Sequence, residues 1–383
     1  MKATYMQENL ERAKRYSRSK TRLTITEFVL TAVFLMIMLV SGASVGLRNI
    51  AAGRSENFSI QVAIYLAIFT VVYYLVFLVL DFYGGFLLEH EFGLSNQTLF
   101  GWAKKSGKRL LLGSAMLLVA AELLYFFLRH FPEHWWLLMT AAWFLLTVVV
   151  SKIAPVLIIP LFYKCQSLPN NALKERLVKL GENCAVRVKG VFEIELSKDT
   201  RKANAAVAGL GKGRRILLGD TLLENYSDEE IEAVFAHELG HVRLLHTWRI
   251  LAFGAAASLV SFYVTSLLFK AGLNIFGFGQ IDDIAAFPLL ALIVMVVGLT
   301  VLPVQNAYLR HLEKQADLFA LKHAQSGESF VSAITKLGNQ NLSDPCPGKW
   351  EEIFLYDHPP MSKRLHYTKQ RQPKPPTAGP DPA

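Results

Sequence analysis

Residues 237–241 read His237-Glu238-Leu239-Gly240-His241, and on a helix the two histidines, four apart, project from one face. Two imidazoles so placed can bind one zinc ion while the glutamate between them reaches the ion's water, as in a zinc peptidase. A chain of this composition would hold such a pattern by chance about once in a hundred. The bland alternative is two solvated histidines and a carboxylate on a charged surface helix. Three features count against it. Ser227 followed by Glu230 is a capping box opening a helix expected to run through His246. Ile231, Val234, Phe235, Leu239 and Val242 give that helix an apolar face, and a further ligand is at hand.

A catalytic zinc takes three protein ligands and keeps a fourth position open. A third histidine six residues after His241 would mark a metzincin, but that position is Thr247 and His246 is out of register, which excludes the class. Downstream, Arg310-His311-Leu312-Glu313-Lys314-Gln315-Ala316-Asp317 places two carboxylates four apart on one helix face. Glu313 as ligand and Asp317 as acceptor for a ligand histidine's other N–H would complete a gluzincin-type site. The alternative is a charged stripe in which Glu313 pairs with Arg310.

The elements that must position these residues belong to a membrane protein. Of 383 residues, 52% are hydrophobic and only 19% charged, and the mean hydropathy is +0.30, too apolar for a soluble pair of domains. The net charge of +9 lies mainly outside the apolar runs, which argues for membrane orientation rather than nucleic-acid binding. Cys165, Cys184 and Cys346 form no CxxC pair, so neither a disulfide framework nor a thiolate zinc site is expected. Six stretches, about 26–47, 61–83, 109–128, 135–161, 248–272 and 284–307, reach the length of a bilayer crossing.

Residues 1–25, with seven Lys and Arg, form an expected basic cytoplasmic leader, and spans one to four fill 26–163. Residues 164–247 form a cytoplasmic catalytic segment holding the HExxH helix, 248–307 carry spans five and six, 308–364 the second part of the catalytic unit, and 365–383 a disordered Pro-rich tail. Lys104, Lys105, Lys108 and Arg109 and the basic loop from Lys164 to His246 place those regions on the cytoplasmic side with both termini. Within the catalytic segment a helix is expected at 170–185 and strands at 190–196, 203–210 and 214–218. The predicted fold is a polytopic α-helical membrane protein with a gluzincin-like α+β zinc-protease domain.

Further stretches carry a resemblance: Glu91 to Thr98 after the second span, Ile153-Ala154-Pro155 through Pro160-Leu161-Phe162 closing the fourth, Asn204-Ala205, and His358-Pro359-Pro360 followed by Arg364. In order with His237–His241 and Glu313–Asp317, they resemble the integral-membrane zinc metalloproteases of the CAAX prenyl protease type I family over most of the chain. The resemblance implies one zinc ion on His237, His241 and Glu313, with Glu238 as general base. It also implies Asn204 and Ala205 on an edge strand holding an extended peptide, His358 stabilising the oxyanion, and Arg364 supporting the metal-site carboxylates. The implied partners are the lipid bilayer and a membrane-associated or lipidated peptide or protein, without nucleic acid. Eukaryotic members have seven spans and commonly a serine where this chain has Leu309; the compact form is more bacterial, which places the protein in an inner membrane with its catalytic domain in the cytoplasm.

Three other readings compete. An HtpX-like quality-control protease would share every site residue and differ in substrate. A site-2 intramembrane protease would hold HExxH inside a span, but Asp228, Glu229, Glu230 and Glu232 start this helix in water. A noncatalytic scaffold with a retained metal site would not need the base Glu238.

Overall fold

The computed structural model describes residues 2–169, 172–186, 190–324 and 326–371. Among the described residues, six helices are long and apolar enough to cross a membrane: Gln7–Val40, Phe58–Glu91, Leu99–His130, Trp135–Phe162, His246–Phe276 and Ile284–His323. Their outer faces need a hydrocarbon solvent, because Val40, Val79, Leu111 and Ile275 are each at least 70% exposed, a belt that water would not tolerate. The basic leader is continuous with the first span as one helix, Lys2–Val40. Glu89, near the end of the second span, fastens this helix to the catalytic segment through Lys20 at 2.7 Å and Lys202 at 2.8 Å, with Tyr16 donating at 2.6 Å.

The segment after the fourth span carries a four-stranded sheet in the order β1-β2-β4-β3, made of β1 (Cys165–Ser167), β2 (Gly190–Ile194), β3 (Ala205–Ala208) and β4 (Arg215–Gly219). β2 and β4 are parallel, and β1 and β3 are antiparallel to their neighbours. Strand alternation sorts the residues onto two faces. Val191, Ile216 and Leu218 pack with Ile231, Phe235 and Leu239 of the motif helix, Asp228–Arg243. Phe192, Ile194 and Leu217 turn the other way, onto Ile159 and Tyr163 at the end of the fourth span. Phe235 and Leu239 are fully buried, worth about 1.5–3 kcal/mol each, so the seam between helix and sheet is fixed firmly.

Four local expectations are corrected. β1 was not anticipated; it is three residues long, too short to show a period. Asn204 precedes β3 rather than lying in it, though its carbonyl still accepts the Gly219 N–H at 2.9 Å. The motif helix does not run through His246 but ends at Arg243, because Leu245 adopts left-handed backbone (φ 57°) and the fifth span starts afresh at His246. Arg364 does not begin a tail: helix Met361–Arg371 continues past it, held by contacts from Arg364 and Tyr367 to Asp317. Residues 372–383, where most of the expected Pro-rich tail falls, lie outside the described residues.

Candidate metal centre and active site

The motif helix is capped at its N-terminus by the reciprocal Ser227–Glu230 box, and its lower face meets the helix leaving the sixth span. That approach needs Gly240: a Cβ there would stand 3.1 Å from the Cα of Ala316, so only hydrogen fits without moving the partner backbone. The close crossing sets Glu313, three residues before Ala316, opposite the two motif histidines.

His237 Nε2 and His241 Nε2 are 3.1 Å apart. Glu313 Oε2 lies 3.3 Å from the first and Glu313 Oε1 3.4 Å from the second. Tetrahedral zinc with bonds of about 2.0–2.1 Å separates neighbouring donors by about 3.3–3.4 Å, so each carboxylate oxygen of Glu313 stands at about donor spacing from one of the two histidines. Glu313 Oε2 is also buried without a hydrogen-bond partner, which a metal would supply. Among the described residues these three form the one group of His, Cys, Asp and Glu placed to hold an ion.

Each histidine is oriented from behind. His237 Nδ1 faces Asp317 Oδ1 at 2.9 Å, and Asp317, with no exposed surface, is gripped by Arg364 through Nε at 2.9 Å and Nη2 at 2.5 Å and by the Tyr367 hydroxyl. His241 Nδ1 lies 3.0 Å from His246 Nδ1, and His246 Nε2 lies 3.2 Å from Gln315 Oε1. One proton order satisfies this relay: His241 donates from Nδ1 and His246 from Nε2, leaving His241 Nε2 free as a ligand. The sequence did not reveal this role for His246. Its only trace there is a histidine opening the fifth span, meaningful once the break at Leu245 is known.

Burial opposes charge on His237, but Asp317 and Glu313 overcome it and push its pKa up to about 10. Burial and the neighbouring His237 push His241 down to about 3. A cation bound by both imidazoles would take the place of a proton on His237 Nε2. Burial raises the carboxyl of Glu238, a direction suited to a group that accepts and returns a proton.

Glu238, His237, Asn204, Ala205, His358 and Arg364 line one cleft of about 460 Å³. β3 is one of the sheet's two edge strands. His358 sits in the turn between helices Lys349–Leu355 and Met361–Arg371, with Nε2 3.4 Å from Glu313 Oε2 and Nδ1 2.8 Å from Asp357. Burial works against its charge, but Asp357 and Glu313 prevail and raise its pKa. All nine residues singled out in the sequence thus meet at this cleft or directly behind it.

Residues 167–372 match the model of peptidase family M48. The chain belongs to that family. Residues 1–164 match the CAAX prenyl protease N-terminal model, described as five membrane helices; here four helices of spanning length occupy that part, with the ten-residue Ala43–Ala52 helix between the first two. The chain is 28% identical over 364 residues to an uncharacterized metalloprotease, YhfN, of Bacillus subtilis (strain 168), covering 94% of this chain and 85% of that one. It is 26% identical to the human CAAX prenyl protease 1 homolog, covering 83% and 76%. The crystal structure of Ste24p from S. mikatae superposes with a TM-score of 0.82 at 24% identity, covering 94% of this chain and 88% of that one. The membership makes the protein a metallopeptidase, built as a multi-pass membrane protein.

Proposed function

We propose that the protein is a zinc endopeptidase that cleaves peptides held at the membrane surface by a lipid or apolar anchor. The observation that carries this reading is the donor triangle of His237, His241 and Glu313 in the same cleft as Glu238 and His358, beside the free edge of β3. Zinc there would supply Lewis acidity to the scissile carbonyl and to water. An extended substrate adds to the edge of β3 near Asn204 and Ala205, on the side away from β4. Glu238 takes the proton from the attacking water and returns it to the amine nitrogen as the C–N bond breaks. His358 donates to the oxyanion that forms meanwhile.

Membrane placement supports the anchored substrate. The motif helix ends at Arg243 and the fifth span begins at His246, so at about 1.5 Å per residue His241 sits within about one and a half turns of that span's start and His237 within about two and a half. Anchored peptides concentrate at such a surface, and curated relatives carry the name CAAX prenyl protease 1 homolog. Basic residues flanking the spans support a cytoplasmic catalytic domain.

The test compares hydrolysis of one peptide with and without an attached prenyl or acyl chain, in detergent and in liposomes at equal bulk concentration, before and after chelation and zinc re-addition. Faster cleavage of the anchored form in liposomes, lost with chelator and restored by zinc, is expected. Chelator-sensitive but equal rates would leave a zinc peptidase and remove the anchored substrate; indifference to chelation would overturn the chemistry.

A further inference from the structure

His358 faces Glu313 across the cleft, yet it rides on a turn, the kind of segment least able to hold a side chain to within a fraction of an ångström. Something must fix that turn relative to the metal ligand. The helix that carries Glu313 does so one turn earlier. Arg310 donates through Nη1 to the carbonyl of Tyr356 at 2.6 Å and to that of Glu352 at 2.7 Å, and its Nε lies 3.9 Å from the Glu352 carboxylate. A further turn back, the buried Asn306 donates to the carbonyl of Phe354 at 2.8 Å.

These carbonyls belong to the last turn of helix Lys349–Leu355 and to Tyr356, the helix end whose acceptors lack intrahelical donors. Two residues after Tyr356 comes His358. Arg310, three residues before Glu313, therefore links the donor set and the His358 turn through a single rigid helix.

We infer that Arg310 is a positioning residue: by holding the carbonyls of Glu352 and Tyr356 it fixes His358 at the distance from Glu313 that lets the imidazole meet the oxyanion. The inference rests on the proposed role of His358. A packing role alone would predict independent effects of Arg310 and His358, whereas positioning predicts coupled ones, because Arg310 has nothing left to place once the imidazole is gone.

The experiment is a double-variant cycle on the full-length protein in detergent or liposomes. Arg310→Gln, Arg310→Lys, His358→Ala and Arg310→Gln/His358→Ala are compared for zinc content, kcat and KM on one peptide. Arg310→Gln is expected to keep stoichiometric zinc and lose at least tenfold in kcat with little change in KM, in the direction of losing one oxyanion donor. Arg310→Lys, which keeps a donor for one carbonyl, should recover part of the loss. The double variant should be no slower than His358→Ala alone.

Losses that multiply in the double variant overturn the inference, as does wild-type kcat in Arg310→Gln beside an impaired His358→Ala. Zinc loss from both Arg310 variants would also overturn it, since the residue would then support the donor helix instead of the turn. Full activity of His358→Ala would remove the role of His358 itself, and the inference with it, while leaving the zinc chemistry to its own chelation test.

Discussion

Gly240 and Ala316 approach so closely that one added methyl at Gly240 would stand 3.1 Å from the Ala316 Cα, with Phe319 Cβ at 3.2 Å. The glycine between the motif histidines thus sets the spacing between the two helices that carry the donors. Gly240→Ala should force them apart, at an overpacking cost of about 1–3 kcal/mol, and lower zinc affinity at least tenfold. Gly254→Ala is the control, because nothing lies within 4 Å of a Cβ there. Metal content after dialysis against graded zinc buffers reads the effect; equal retention by both proteins would show that the donor triangle tolerates a wider crossing.

Glu238→Gln should keep its zinc and lose peptide hydrolysis, since it removes the proton acceptor without touching a ligand. A drop in kcat of about 100-fold or more is expected. Metal stoichiometry and hydrolysis are measured on one preparation, and comparable activity to wild type would sink the mechanism.

Glu313→Ala should lose most of its zinc, as two imidazoles make an incomplete shell. Lys314→Ala, one position on and outside the donor triangle, should stay metallated. Stoichiometric zinc in Glu313→Ala would put the third ligand elsewhere.

Reporter fusions at the C-terminus after Ala383 and in the loop near Ala51 should report opposite sides of the membrane, as an even number of crossings requires. Finding both on one side would take a crossing away from the count.

The grouping of His237, His241 and Glu313 was legible in the sequence because their geometry is local. HExxH and the Glu313–Asp317 pair are both four-residue helical spacings, and a helix converts such a spacing into a shared face whatever its surroundings. The spans were legible because a bilayer imposes a length and a composition. The turn at Leu245 was not, since it occurs at a leucine without glycine or proline and depends on how the fifth span leaves the motif helix. The helix past Arg364 was hidden for a similar reason: Lys363 to Arg371 is polar and carries no strong signal, and its order comes from a carboxylate 47 positions earlier that Arg364 grips. His246 shows the same limit from the other side, because a residue rejected as a ligand by its register is placed by the fold directly behind one.

The donor set is divided in the chain: His237 and His241 precede the last two spans and Glu313 follows them. A nascent chain that has threaded only its first five hydrophobic segments therefore owns the proposed base, Glu238, and two imidazoles, but not the carboxylate of Glu313. On the proposed site, proteolytic competence arrives only with completion of the final membrane hairpin, so biosynthesis itself acts as the zymogen stage. Chains stalled before the sixth span should accordingly be inert towards a peptide that the finished protein cuts, even with zinc in excess.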